Sequence, residues 1–457
     1  MNKFTILPTS YVLCLLLAGC DSRPHCKHVD EYPPIEPDYI GVTMPDIMPT
    51  PRFKMCDGQE MEVTTHRDGD TLFVSVSAWS DHDHEGTAYK PFPIYISHDE
   101  IEPYIAYRLI EPNYQSWHDM GIYQRSLASY EETCIIDNRV NDGGCMNCHT
   151  FHGGNANTML FHLRGANGGT VFVNGAQARL LNLATIGPHK QGTYPAWHPD
   201  GRYVAFSSND TKQSFLISTE QPIEVFDTSS DIILFDTLTD SIIAHPSLNT
   251  TPRWETFPTW SAMGDTLFYC AADSIGAMPH NRIMVHYELM SIAFHDGRFT
   301  GSPQKVFPTA EFQMPEQMDS ISVSLPRCSP DGRFLMFTTS TFGTFPIWHN
   351  EADLWLFDLH KREARCLYEL NSNRAESYHS WSGNGRWVIF SSRRNDGRYT
   401  HLFIAHHDGE GHFGKPFQLP QAEADFDQNR LKSYNIPEFV SGEVANMQHT
   451  VSNLLNQ

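Results

Sequence analysis

The chain has 457 residues, with 54 acidic and 32 basic side chains, and its net charge at pH 7 is −22. This excess of negative charge repels nucleic acid and gives no reason to expect adhesion to anionic lipid headgroups, so polyanionic partners are excluded. The 28 Phe, 18 Tyr and 9 Trp, together with 30 Gly and 29 Pro, are typical of many short strands joined by tight turns. We therefore expect a mostly β protein with more than one domain.

Residues 1–20 have the pattern of a secretory signal. One basic residue, Lys3, precedes an apolar run at 11–17, which is too short to span a membrane. The run ends in Leu-Ala-Gly-Cys, which resembles a bacterial lipobox and implies cleavage before Cys20 and lipidation of its thiol. We therefore predict an exported lipoprotein of the cell envelope, located in the periplasm and held by acyl chains to the inner or outer membrane.

Two segments separate this signal from the main body of the chain. Residues 21–57 are rich in Pro and polar side chains and are predicted to form an extended tether. In residues 58–97 the side chains alternate between apolar and polar, and the run Arg67-Asp-Gly-Asp70 is a typical hairpin turn. A small N-terminal β domain is expected there.

Beyond residue 190 a strand, turn, strand unit occurs four times, at 194–208, 257–271, 325–339 and 378–392. Each unit has Trp or Cys before the turn and a glycine within it, where a positive φ is needed. The turn residues Asp200 and Asp331 are explained by turn hydrogen bonds rather than by acid–base chemistry. Further strands follow each unit, and four strands make one propeller blade.

The repeat resembles that of TolB-like, WD-like β-propellers over residues 194–420. If Cys148 and His149 are laid over Trp197 and His198, the segment after them supplies a fifth, divergent blade, and strands from residue 103 onward supply a sixth. The predicted fold is therefore an all-β, six-bladed propeller at 98–420 with an insertion at 141–156, preceded by the small β domain and followed by a C-terminal tail at 421–457. TolB-like proteins bind partners, so the resemblance also implies partner binding.

The most specific chemical motif is the C-x-x-C-H sequence at Cys145, Cys148 and His149. In an exported protein this spacing indicates covalent haem, with both thiols bonded to vinyl groups and the imidazole bound to iron. A redox dithiol, a disulfide or a structural pair are the alternatives; no second C-x-x-C completes a zinc site. The candidates for a second axial ligand are His118, Met120, His152, Met159 and His162.

No catalytic constellation is found, because the chain lacks a G-x-S-x-G elbow and its carboxylates are scattered. The leading hypothesis is an anchored propeller with one haem c, acting with an envelope or redox protein in electron transfer or in a haem-linked role such as cytochrome c biogenesis. The alternative is a haem-free periplasmic scaffold that binds an envelope protein or peptide, with Cys145 and Cys148 paired as a disulfide.

Overall fold

A computed structural model describes residues 27–28, 42–43, 59–80, 83–111, 119–165, 168–181, 183, 192–216, 221, 223–313, 320–423, 426 and 430–456. The predicted lipidation site at Cys20 and the axial candidate His118 lie outside the described residues.

The N-terminal part forms a sheet of six strands. These strands are Lys27–His28 (β1), Val42–Thr43 (β2), Gln59–Asp68 (β3), Thr71–Ser80 (β4), Asp83–Ala88 (β5) and Phe92–Ile96 (β6). β3 and β4 form the predicted hairpin, in which Asp68 pairs with Thr71 across Gly69, whose φ is +56°. A β-sheet therefore lies where the small β domain was predicted, and two short strands from the predicted tether join it.

The rest of the described chain contains six four-stranded antiparallel sheets. The first consists of Ser433–Val440 (β30), Tyr104–Ile110 (β7), Met120–Ser126 (β8) and Glu132–Asp137 (β9). The second consists of Met146–Phe151 (β10), Thr158–Leu163 (β11), Gly169–Asn174 (β12) and Gln177–Leu181 (β13). The third consists of Thr193–Trp197 (β14), Tyr203–Phe215 (β15), Ile223–Asp236 (β16) and Ser241–Ile243 (β17).

The remaining three sheets follow in chain order. The fourth consists of Arg253–Trp260 (β18), Thr266–Asp273 (β19), Glu288–His295 (β20) and Arg298–Phe307 (β21). The fifth consists of Ser322–Cys328 (β22), Phe334–Ser340 (β23), Asp353–Asp358 (β24) and Glu363–Cys366 (β25). The sixth consists of Glu376–Trp381 (β26), Trp387–Ser392 (β27), His401–His406 (β28) and Phe417–Gln418 (β29).

Helical structure is sparse in the described residues. One α-helix spans Gln448–Leu455, and short 3-10 helices lie at Asn138–Asn141, His152–Gly154, Pro246–Leu248, Arg282–Met284 and Pro346–Trp348.

The first strand of each sheet in the orders given above lies at the centre of the molecule. These inner strands contact one another in a cycle, β10 to β14, β18, β22, β26, β30 and back to β10. Radial four-stranded sheets around a common centre define a β-propeller, so the coarser prediction of an all-β propeller is confirmed. The first sheet is completed by β30, which lies in the predicted tail 421–457 and pairs with β7. Chain ends more than 300 residues apart in sequence are thereby held together.

Two pairs of neighbouring inner hairpins are joined by a hydrogen bond from the tryptophan that precedes the turn. The Trp260 indole Nε1 donates to the carbonyl of Ala196 at 3.1 Å, and Trp381 Nε1 donates to the carbonyl of Arg327 at 3.3 Å. Each tryptophan thus reaches the inner strand of the preceding sheet. The turn carboxylates of Asp200 and Asp331 accept from backbone N–H groups two residues later, at 2.8 and 3.0 Å, which confirms their predicted turn role.

Every inner strand is interrupted by a two-residue bulge at the same place. The register shifts lie between Asn147/Thr150, Thr193/Ala196, Thr256/Thr259, Ser324/Arg327, Ser377/Ser380 and Asn435/Glu438. The first bulge residue has φ near +50° in five strands, namely Tyr194, Phe257, Leu325, Tyr378 and Ile436. The second is proline in four strands, at Pro195, Pro258, Pro326 and Pro437.

This bulge corrects the alignment that placed the divergent blade. Cys148 and His149 are the two bulge residues of β10, so they correspond to Tyr194 and Pro195 rather than to Trp197 and His198. The pairs Phe151↔Met159 and Trp197↔Val204 are equivalent, which shows that the connecting turn is one residue longer in the second sheet (159 − 151 = 8, 204 − 197 = 7). An alignment based on the turn alone missed the bulge and shifted the motif by three residues.

Candidate functional site: the central cavity

The C-x-x-C-H motif lies on the innermost strand, but its side chains face different surroundings. Cys145, just before β10, is a half-buried free thiol and lines a central cavity. The His149 side chain is 2% exposed, and its ring lies 6.1 Å from that of Phe151. Neither imidazole nitrogen has a hydrogen-bond partner. Burial, with a smaller contribution from the Arg108 charge, lowers the pKa of His149 to about 3.

The structure describes four of the candidate second axial ligands, and each lies in the core or contacts another group; of the His162 ring nitrogens, Nε2 is buried without a partner. The Met120 sulfur accepts from the backbone N–H of Met146 at 3.2 Å, and Met159 is fully enclosed in the core. His162 bonds Thr170 through Nδ1 at 3.1 Å, and His152 Nε2 lies 3.1 Å from the carbonyl of Pro199. None of the four lines the cavity that Cys145 reaches.

The prediction of a covalently bound c-type haem is therefore wrong. His149 is sealed in the protein interior and does not line the cavity that Cys145 reaches, so a porphyrin bonded to this thiol has no open path to the imidazole. Among the described residues, no cluster of three or more His, Cys, Asp or Glu side chains could hold a metal ion. The alternative disulfide finds no support either, because Cys145 is a free thiol.

The cavity beside Cys145 has a volume of about 330 Å³ and lies at the centre of the ring. Its walls come from five of the six sheets and from the loops that follow their strands. The lining residues that carry its chemistry are Arg108, Glu111, Cys145, Asn147, Arg164, Tyr194, Lys212, Ile223, Val225, Phe345, Ile347, Trp348, Arg393, Thr400 and Ser433. This mixture of apolar walls and a few convergent polar groups is typical of a small-molecule site.

The cavity is strongly cationic for so acidic a protein. Arg393, Arg108 and Arg164 belong to three successive sheets, the sixth, first and second, and form an arc along one wall. We call these three side chains the arginine arc. Lys212 adds a fourth positive charge from the third sheet, although Asp210 pairs with it at 2.8 Å. Glu111 is the one carboxylate among the described lining residues.

The arginine arc lacks the carboxylate partners that several other described arginines have. Arg202 pairs with Asp236 at 2.6 Å and Arg430 with Glu132 at 2.6 Å. Within the described part of the chain, no carboxylate oxygen lies within 4.0 Å of the guanidinium groups of the arc. The Nε atom of each of the three is buried without a hydrogen-bond partner.

Arg393 carries the least compensated charge of the arc. It is 3% exposed, and its guanidinium carbon lies 3.8 Å from the centre of the Trp348 ring. Burial lowers the pKa of Arg393 to about 9, and the more distant Asp396 offsets only part of this effect. A buried charge without a paired anion is costly, whereas a bound anion would convert it into a charge-assisted contact.

Arg108 is positioned by the protein but keeps free donors. It is 7% exposed, and its Nη1 donates to the carbonyl of Met146 at 3.1 Å. Across the cavity wall, the amide oxygen of Asn147 is also buried without a partner. These groups provide a preformed set of polar contacts on the side of the first and second sheets.

Another part of the cavity lining, which meets the arginine arc at Trp348, is largely apolar. Ile223 and Val225 lie on β16, in an arm where β15 and β16 are 13 and 14 residues long and extend past the other inner hairpins. Ile347 and Trp348 come from the connection between β23 and β24. The cavity therefore has two chemically distinct sides, the arginine arc and this apolar wall.

The sequence analysis did not identify any member of the arginine arc. For Arg108, the sequence does contain a positional equivalence that could have indicated its place. In each sheet the residue before the bulge pairs with one residue of the next strand, which is Arg108 in the first sheet and His162, Ser207 or Ser391 in three others. That equivalence becomes visible only once β30 is paired with β7 and the bulge of β10 is placed correctly.

No protein-family model and no curated protein matches the sequence. Solved structures with a similar fold include an oligogalacturonate lyase from Vibrio parahaemolyticus, at 10% identity and a TM-score of 0.38, covering 80% of this chain and 85% of that one. A periplasmic gluconolactonase from Pseudomonas aeruginosa is similar at 13% identity and a TM-score of 0.34, covering 79% and 95%. The β-propeller domain of the Trilobed protease from Pyrococcus furiosus matches at 12% identity and a TM-score of 0.33, covering 84% and 97%.

None of these names includes a haem group, and a further oligogalacturonate lyase structure holds manganese. Likenesses this distant say nothing about activity, and the propeller fold rests on the sheets of this chain. Among the helices of the described residues, none is long and apolar enough to cross a bilayer.

Proposed function

We propose that this protein is an exported binding protein of the cell envelope, anchored through a lipid on Cys20, whose propeller recognises a small anionic ligand in its central cavity. The observation that carries the proposal is the arginine arc: three convergent guanidinium groups without a carboxylate partner, in a chain with 54 acidic and 32 basic residues. Acidic side chains are plentiful, so leaving these arginines unpaired favours a ligand as their counter-ion.

The global and local charges act at different ranges. A net charge of −22 repels long polyanions at the surface. Inside the cavity, the nearest groups are guanidiniums in a low-dielectric surrounding, where their attraction is weakly screened. The net charge therefore argues against binding of polyanions such as nucleic acid, and that exclusion stays a prediction. It does not argue against binding of a small carboxylate or phosphate in the cavity.

The finer features of the fold belong to the same proposal. We infer a ring of six blades, closed by the pairing of β30 with β7, and a TolB-like affiliation that rests on the hairpin repeat. The predicted envelope or redox protein partner remains a prediction.

The proposal is tested by isothermal titration calorimetry of the intact protein with inorganic phosphate and with acetate. The wild type should bind at least one of them, and Arg393→Gln and Arg108→Gln should each weaken binding about tenfold or more, as expected for loss of a hydrogen bond to a charged group. Circular dichroism checks that each variant keeps its β structure.

A matched control removes the same charge elsewhere. Arg179 lies on the outer strand β13 and forms an exposed ion pair with Asp240. Arg179→Gln breaks this pair and should leave anion binding unchanged. If neither anion binds the wild type, or if Arg179→Gln weakens binding as much as Arg393→Gln, the proposed function fails.

A further inference from the structure

The arginine arc and the apolar wall of the proposed anion site come from different sheets of the propeller. The arc spans the sixth, first and second sheets, whereas the apolar side chains come from the third and fifth. A ligand whose charged group contacts the arc therefore directs the rest of its body toward Ile223, Val225 and Ile347.

The apolar wall offers contact area through its aliphatic and aromatic side chains, and the polar lining residues nearest to it are Thr211, Lys212 and Gln213 of β15. Ile223 and Ile347 are 5% and 3% exposed, so they are fixed in place by packing and present their remaining surface to the cavity. The aromatic rings of Tyr194, Phe345 and Trp348 complete this side. A sugar acid or another polyhydroxylated anion would bury hydroxyl groups here without enough partners, which is unfavourable.

We propose that the cavity selects amphipathic anions, in which one carboxylate or phosphate group is attached to an aryl or alkyl body. This inference rests on the proposed anion-binding function and adds the class of the ligand. The charged group supplies orientation through the arginine arc. The apolar body supplies affinity through burial against the wall.

Matched probes separate the two contributions. Phenyl phosphate should bind about tenfold or more tightly than inorganic phosphate, because it buries a ring against the apolar wall. Phenylacetate should exceed acetate in the same way, and gluconate should bind no better than acetate. Both phenyl compounds should lose affinity in Arg108→Gln, since the charged group is common to all the probes.

A variant of the wall tests where the ring lies. Val225→Thr keeps the shape of a half-buried side chain and makes it polar. It should weaken binding of phenyl phosphate several-fold more than it weakens binding of inorganic phosphate. Trp348 should report the same event, because a fluorescence change on adding phenyl phosphate should disappear in Trp348→Phe.

The outcomes distinguish this inference from the function on which it rests. Equal affinities for phenyl phosphate and inorganic phosphate, both dependent on Arg108, would overturn the amphipathic class and leave anion binding intact. The same holds if gluconate binds more tightly than phenylacetate. If none of the probes binds, both the inference and the proposed function are overturned.

Discussion

At the scale of single residues, a buried carboxyl group beside the cavity has a pKa that is shifted by its surroundings. Asp227, on the arm beside the cavity, is 3% exposed. Its carboxylate accepts from Asn209 Nδ2 at 2.7 Å and from Thr211 Oγ1 at 2.8 Å. Burial raises the pKa of Asp227 to about 6, even though these hydrogen bonds and the Arg164 charge oppose the shift.

This pKa shift predicts that ionisation of Asp227 lowers the free energy of unfolding at neutral pH, and that Asp227→Asn removes this effect. The unfolded carboxyl ionises near its ordinary pKa of 3.8 and the folded one near 6, so the wild type loses stability as pH rises between these values. The variant does not titrate there. Its free energy of unfolding relative to wild type should rise by roughly 2 kcal/mol from pH 4 to pH 7, measured by urea denaturation at each pH.

If the free energy of unfolding of Asp227→Asn relative to wild type fell as pH rose, the folded state would favour the ionised carboxylate, and the prediction would be wrong. Thr228→Ala, which removes an exposed hydroxyl that bonds Asp210 on the same arm, serves as a control and should show no such dependence on pH.

At the scale of structural elements, the bulge explains why the inner strands tolerate residues unusual in a sheet. Its first position has a positive φ in five of the six inner strands, and its second is proline in four of them. Proline is tolerated where the ladder is interrupted, because no ladder hydrogen bond is lost there. His149 and His379 occupy this second position in β10 and β26, where the other inner strands have proline.

The equivalence predicts that His149→Pro folds normally. The substitution removes an imidazole whose two nitrogens are buried without partners and restricts the unfolded chain. The free energy of unfolding should therefore be unchanged or higher by about 1 kcal/mol, as measured by chemical denaturation. A structural role for His149 as an iron ligand predicts no such tolerance.

His379→Pro provides the matched comparison at the same position of β26. His379 Nε2 lies 2.9 Å from the carbonyl of Met336, so its loss should cost about 1 kcal/mol. If His149→Pro unfolds the protein and His379→Pro does not, the assignment of the bulge in β10 is mistaken.

The local elements were the part that sequence patterns predicted well. The four later hairpins follow from alternation and turn chemistry within about 15 residues, and the hairpin turn at Gly69 has the same local origin. The pairing of β30 with β7 could not be predicted this way, because Val440 and Tyr104 are far apart in sequence and pair only in the folded molecule. The arginine arc depends on such distant pairings and was missed for the same reason.

The C-x-x-C-H motif shows that a short sequence pattern can also predict a site that the structure does not form. Its spacing matched a known chemistry, yet the structure uses Cys148 and His149 as the two bulge residues and buries the imidazole. A motif states which residues are near in sequence, and the bulge decides where their side chains point.

At the scale of the whole molecule, charge is divided between surface and centre. The acidic excess gives the protein its net charge of −22, while the cavity gathers four cationic side chains against one carboxylate. A small anion that enters the cavity is attracted by the nearby arginines more strongly than it is repelled by the screened outer charges. The propeller supplies the rigid frame, because the lining side chains come from five separate sheets.

The most direct test of this account is an X-ray anomalous difference map from crystals of the intact protein soaked with arsenate, a phosphate analogue. The account predicts an arsenic peak in the central cavity, with arsenate oxygens about 3 Å from the guanidinium nitrogens of Arg108 and Arg393. The peak should be absent from crystals of Arg393→Gln grown and soaked in the same way. An empty cavity in the wild type, with arsenate bound only at surface sites, would contradict it.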